Sequence, residues 1–208
     1  MEKELMTEER IKRSARNVFS RKGFAGARIS EIANNAGVKN AMVHYYFRSK
    51  HSLFDIIMKE SVMKLRSITN PFINDEQTSL EEKIDLISEN LHIFLLDNQD
   101  LPMFILNELQ TNTNPENFIS LYFNPMEDNI FNSVFFKQLE THIKEQKLDN
   151  VISANHVFIN LFSMSVFPYL SSKLLMELLE LDEQEYHLLI MEGQKLGSLW
   201  VKKMLNIK

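Results

Sequence analysis

ARISEIANNAGVKNAMVHYYFRSKHSL, residues 27–53, decides how the rest of the chain is read. Ile32, Ala33 and Ala36 recur at the three- and four-residue steps that place side chains on one helical face. Residues 29–36 are therefore expected to form a short helix with a small apolar face suited to close packing. Gly37 accepts the left-handed backbone that ends a helix tightly, and Val38 supplies an apolar plug for the corner. A second helix must then begin near Lys39 or Asn40. Val43 and Phe47 lie four apart and anchor it to the core, which leaves Asn40, Ala41, Met42, His44 and Tyr45 facing outward. Two helices meeting at a glycine-containing turn form the helix-turn-helix unit, whose second helix enters the major groove with its N-terminal residues against base edges.

The charge distribution points the same way. The formal net charge is −5, yet residues 1–50 carry 11 Lys+Arg against 5 Asp+Glu, and residues 51–208 carry 12 against 23. A basic end on an acidic body is what docking one end on phosphates requires, although asymmetry of this kind is also common in soluble proteins.

Gly23-Phe24, Ile29-Ser30-Glu31-Ile32-Ala33, Ala36-Gly37-Val38 and Tyr45-Tyr46-Phe47-Arg48-Ser49-Lys50, followed by Leu53-Phe54, form one ordered set. In that set the chain resembles the TetR-type bacterial transcriptional repressors. The resemblance covers the first quarter of the chain by motif and the remainder only by length and helical pattern. It implies an all-α fold, with an N-terminal three-helix helix-turn-helix DNA-binding domain over residues 1–52. A C-terminal helical bundle for dimerisation and ligand binding would follow over residues 53–208. It also implies double-stranded DNA with a palindromic operator as partner, bound by a homodimer. Arg28, Lys39, Asn40, Ala41, Met42, His44, Tyr45, Tyr46 and Lys50 are the expected DNA contacts.

Several of these depart from the family pattern. Ala27 and Arg28 stand where a capping Ser or Thr is frequent, so Arg28 is expected to reach a phosphate as a charged donor. Met42 replaces a small or hydroxylated residue, which thins direct hydrogen-bond readout. Asn40 facing adenine and His44 facing guanine are the base-edge candidates. Tyr45, Tyr46 and Lys50 hold the backbone, with Tyr46 divided between a phosphate and the core beside Phe47. His51 and Ser52 are expected only to cap.

Around this segment the chain reads as helix. The opening helix is expected to start at Thr7 and end at Gly23, with Ile11, Ala15, Val18 and Phe19 as its apolar stripe. A helix from Leu53 should stop at Asn70-Pro71. The body has no glycine between Gly37 and Gly193 and no alternating run. Helices are expected over residues 75–98 and 104–109, over a short segment from Asn114-Pro115 through Phe123, and from Pro125 to about residue 148. Residues 153–170 should form a helix wrapped on all sides, and residues 182–205 the last one. Gly193 and Gly197 weaken that last helix, so either a dimer contact or close packing inside one subunit should offset them. The resemblance favours the dimer contact, because the last two long helices form it in the family.

Other chemistry finds little support. Glu89 and His92 have the spacing of a di-iron ligand pair, but no second pair exists, so no metal site is expected. No glycine-rich phosphate loop, G-x-S-x-G or H-E-x-x-H occurs, and neither an enzyme nor a cofactor is expected. The absence of cysteine fits a reducing compartment. With no signal-peptide core and an interrupted apolar run over residues 157–170, the expected location is the cytoplasm, away from membranes. By resemblance the body holds an effector pocket for a small apolar or aromatic molecule. His92, Met103, Phe104, Asn107, Glu108, Phe158 and Phe162 are its candidate lining, with ordinary core as the competing account. A helical ligand carrier or protein-interaction module without specific DNA binding is the alternative function.

Overall fold

Left-handed backbone at glycine sets the corners of the N-terminal part. The computed structural model of the chain describes residues 2–111 and 130–207, and among these it contains ten α-helices and no strand. These are α1 (Glu2–Gly26), α2 (Ile29–Asn35), α3 (Asn40–Phe47), α4 (Lys50–Ile73), α5 (Leu80–Asp97) and α6 (Leu101–Thr111). After a 3₁₀ turn (Ile130–Asn132) come α7 (Val134–Glu145), α8 (Ala154–Leu170), α9 (Ser172–Leu179) and α10 (Glu183–Met204). The described residues divide into two compact units. The first comprises the chain through Lys64 together with α6, and the second comprises residues 65–99 and 130–207.

In the first unit Gly23 breaks α1 with φ 65° and ψ 175°, and Gly37 at φ 65° closes α2. Val38 N–H donates to Ala33 O at 2.9 Å and Gly37 N–H to Asn34 O at 3.0 Å, the paired bonds of a Schellman ending. The apolar faces of α1 to α4 meet on Ile11, Phe19, Ile32, Val43, Phe47, Leu53 and Ile57, all buried. Each large side chain so enclosed contributes about 1.5–3 kcal/mol. Phe104 of α6 belongs to this core. Its ring centroid lies 5.1 Å from that of Phe54 and 6.1 Å from that of Phe19. Lys12 links α1 to α4 through Glu60 at 2.8 Å. Burial alone would lower its pKa, but hydrogen bonds to Glu60 and Glu9 outweigh that and raise it.

The second unit is built on Ile84, Phe135, Leu139, Val157, Leu161, Val201 and Leu205. Ser79, Ser153 and Asp182 each begin a helix with a reciprocal capping box, and Ser133 caps α7. Lys83, wholly buried, donates to the carbonyls of Asp75 and Thr78 and to Gln138 Oε1 at 2.9 Å, so it pins the segment before α5 to α7.

Several boundaries differ from the sequence expectation. Helix α1 begins at Glu2, so Thr7 is inside it and caps nothing at its start. Helix α4 continues through Pro71 to Ile73, because a proline in the last turn removes one bond without blocking the turns before it. The helix expected from Pro125 starts at Val134, where Ser133 supplies the cap. Helix α9, between the helices expected over residues 153–170 and 182–205, is an addition to the expected set. Helix α8 is not enclosed on all sides, since Ile159, Phe162 and Phe167 are exposed. The short helix expected over residues 114–123 lies outside the described residues.

Candidate nucleic-acid interface

Helix α3 has two faces with opposite tasks. Val43 and Phe47 are buried, while Lys39, Asn40, Ala41, Met42, His44 and Tyr45 are exposed, Tyr45 at 74%. Tyr46 is half-buried, its ring 6.2 Å from Phe47 and edge-on to Tyr45 at 5.2 Å. Neither Lys39 before α3 nor Arg28 before α2 gives its helix a side-chain cap bond; Met42 N–H donates to Lys39 O and Glu31 N–H to Arg28 O, and no side chain caps the amides ahead of them. Arg28 is exposed beside one such terminus.

Two expected contacts have partners within the chain. Lys50 Nζ donates to Phe24 O at 2.8 Å and to Ala27 O at 3.0 Å, and it lies 4.5 Å from the Phe24 ring centroid. It therefore ties the start of α4 to the turn after α1. His44 Nδ1 lies 3.1 Å from Arg48 O. A carbonyl only accepts, so Nδ1 carries the proton and Nε2 of the neutral ring is an acceptor. Guanine offers only acceptors at O6 and N7, whereas adenine N6 and cytosine N4 donate, so this tautomer does not suit the expected guanine.

The corner that His44 grips is unusual. Arg48 has φ 63° and ψ −49°, and Ser49 N–H donates to Phe47 O at 2.7 Å, forming a positive-φ γ-turn. Ser49 Oγ then accepts from Ser52 N–H at 3.0 Å and opens α4. His51 pairs with Asp55 at 2.8 Å. Arg10 was not singled out in the sequence. Its guanidinium donates to Ala36 O at 2.6 Å and to Gly37 O at 3.2 Å, holding the turn between α2 and α3. No local pattern marks it, since the partners lie far along the chain.

The residues expected to line an effector pocket do not gather in one place. Phe104 lies in the core of the first unit, and Asn107 Nδ2 donates to Ser20 O at 3.0 Å there. Met103 and Glu108 share that helix. Phe158 packs on the core of the second unit and Phe162 stacks on it, ring centroids 6.0 Å apart. His92 alone of the set lines the cavity in the second unit. Gly197 is buried, and a Cβ there would meet Met164 Cβ of the same chain at 3.8 Å; nothing lies within 4 Å of one at Gly193. Among the described residues no three His, Asp or Glu side chains form a metal cluster, and no helix is long and apolar enough to cross a membrane.

A short helix exposed beyond a braced glycine turn, in a chain with no strand among its described residues, has the geometry of a helix-turn-helix unit. Residues 11–57 match the family described as bacterial regulatory proteins, tetR family. The chain is 26% identical over 140 residues to the biofilm operon icaADBC HTH-type negative transcriptional regulator IcaR of Staphylococcus aureus, covering 67% of this chain and 71% of that protein. In structure it is similar to a TetR-like transcriptional regulator from Rhodococcus sp. RHA1, with TM-score 0.65, 17% identity and 97% of each chain covered. It is also similar to FadR from Bacillus subtilis in complex with stearoyl-CoA, with TM-score 0.58 and 17% identity, over 91% of this chain and 97% of that one. The chain is a DNA-binding transcriptional regulator similar to the TetR type, with the family match confined to residues 11–57.

Proposed function

We propose that the chain represses transcription as a homodimer, each subunit laying residues 39–46 in the major groove of one half of a palindromic operator. A small apolar or aromatic effector bound in the body releases it. Residues 1–52 serve recognition, and residues 53–208 serve dimerisation and ligand binding. The carrying observation is the outward face of α3, exposed from Lys39 to Tyr45 except at Val43. On this reading Asn40, Ala41, Met42 and His44 meet base edges, and Arg28, Lys39, Tyr45, Tyr46 and Lys50 lie along the phosphates.

Phe167 on α8 and Leu189, Leu196, Leu199 and Trp200 on α10 are exposed, and an apolar surface of this kind supports a second copy as its cover. Gly193, open on the same helix, leaves room for a close approach. The name of IcaR as a negative regulator supports repression, and the acyl chain of stearoyl-CoA in the FadR structure supports an effector with an apolar part. The two heads must match half-sites roughly 34–36 Å apart, so an effector that alters their spacing weakens binding.

Fluorescence anisotropy on duplex DNA from upstream of its own gene tests this. Tight binding with a steep salt dependence is expected, lost in Tyr45→Ala with Lys39→Ala; a flat salt response would count against it. Sedimentation should give a dimer that Trp200→Glu splits.

A further inference from the structure

Helices α5, α8, α9 and α10 of the second unit line a half-open cavity of roughly 370 Å³, within the range of small-molecule sites. Its wall is mostly apolar, with Met164, Leu175 and Ile190 among its members, while Leu196 and Trp200 on its exposed rim belong to the surface proposed for the second copy, which would close it. Among the described residues no lysine, arginine, aspartate or glutamate lines it. Two titratable side chains do. Tyr186 donates its phenolic proton to Pro168 O at 2.7 Å and so is satisfied. His92 is buried, its Nδ1 lies 2.9 Å from Tyr169 Oη, and its Nε2 is buried with no hydrogen-bond partner.

Protonation follows from these contacts. Burial and then the Tyr186 charge push the Tyr169 hydroxyl up to about 12, so it keeps its proton, and Nδ1 is the acceptor within reach. Burial and then the charge of His187 lower the His92 pKa, which favours the neutral ring. With Nδ1 accepting, the ring proton sits on Nε2. The cavity wall thus holds a buried donor with no partner among the described residues, a condition that a bound acceptor relieves.

We propose that this cavity binds a neutral, mostly apolar molecule with one acceptor oxygen, a ketone, ester or amide carbonyl that accepts from His92 Nε2–H. The inference rests on the reading that the body takes an effector, and it narrows that reading to one place and one chemistry. A carboxylate or phosphate is excluded, because the wall offers no positive charge to accompany it into an apolar site.

Calorimetry on the full-length protein with three probes of related skeleton tests it: butyrophenone, butylbenzene and 4-phenylbutyrate. Butyrophenone should bind about tenfold more tightly than butylbenzene, the size of one net hydrogen bond, and 4-phenylbutyrate no better than the hydrocarbon. His92→Phe should bind butylbenzene as before and lose the preference for the ketone. Tyr169→Phe, which frees the ring proton to move, should reduce that preference. Nitrogen-15 NMR should find the His92 proton on Nε2. Equal affinity for ketone and hydrocarbon, a ketone preference that survives in His92→Phe, or no binding of either overturns the proposal. Anisotropy on the same samples separates the two levels. Retained DNA binding with a failed ligand test removes only the cavity assignment, whereas lost DNA binding removes the regulator reading beneath it.

Discussion

Arg10 Nη2 donates to the carbonyl of Ala36 at 2.6 Å, bridging a separation of 26 residues, and the same guanidinium reaches Gly37 O. The turn that aims the recognition helix is thus held from outside by α1. Arg10→Met should destabilise the protein by about 1.5–3 kcal/mol, the range for charge-assisted bonds, and lower the thermal midpoint. Gly37→Ala should also destabilise, because φ is 65° and the new Cβ would stand 3.4 Å from Arg10 Nη2. Thermal melts followed by circular dichroism check both.

Arg48→Gly separates stability from binding. Relief of the positive φ should stabilise the chain by roughly 1 kcal/mol. Loss of a cation beside the recognition helix should weaken DNA binding wherever that charge lies near phosphate. His44→Ala should remove the bond to Arg48 O, lower stability by about 1 kcal/mol, and relax base preference at one position of each half-site. Urea titration and a panel of single-base operator variants give the two readings.

Lys39→Ala should reduce the slope of log affinity against log salt by about one and weaken binding to all sequences alike, because a phosphate contact carries no base information. Asn40→Ala should instead act at one base pair, at a penalty of about 1–3 kcal/mol on the preferred sequence.

Acid should weaken the second unit through His92. Burial, with a smaller part from His187, holds its pKa below the ordinary histidine value, so the unfolded chain takes up the proton first. The contribution is fully present above about pH 6.5 and is lost as pH falls through the lower folded value. Between pH 7.5 and 5 the urea midpoint should fall, and His92→Phe should fall less.

Gly197→Ala should raise stability by about 0.5–1 kcal/mol through helix propensity, since the added Cβ makes ordinary contact with Met164. Gly193→Ala has open space around it and should gain similarly in thermal melts of the isolated chain. A bulky Gly193→Leu should weaken dimerisation in sedimentation if this strip meets a second copy.

The head was legible because its signals are local. Gly23 and Gly37 mark backbone that few other residues adopt, and Val43 and Phe47 set the buried face of α3 by spacing alone. What escaped was set by distant packing. Nothing near Arg10 announces carbonyls on another helix, and nothing near Phe104 places α6 in the core of the first unit instead of around a ligand. Lys50 reads as a phosphate contact in its motif, and nothing in that motif announces its second task, the two backbone carbonyls and the aromatic ring that it also holds. Pro71 reads as a stop because proline usually is one, and its place in the last turn of α4 makes it harmless. The apolar stripe of α8 looked like enclosure because a sequence does not say how many neighbours a helix has.

Asn40, Ala41 and Met42 project from α3, while the scaffold beneath them rests on Val43, Phe47, Gly37 and Arg10. Replacing Asn40 or Ala41 therefore disturbs little buried packing, and Met42, 37% exposed, only the part of its side chain that is covered. Lineages carrying this head can drift toward new target sequences one substitution at a time, with folding left as a constant background.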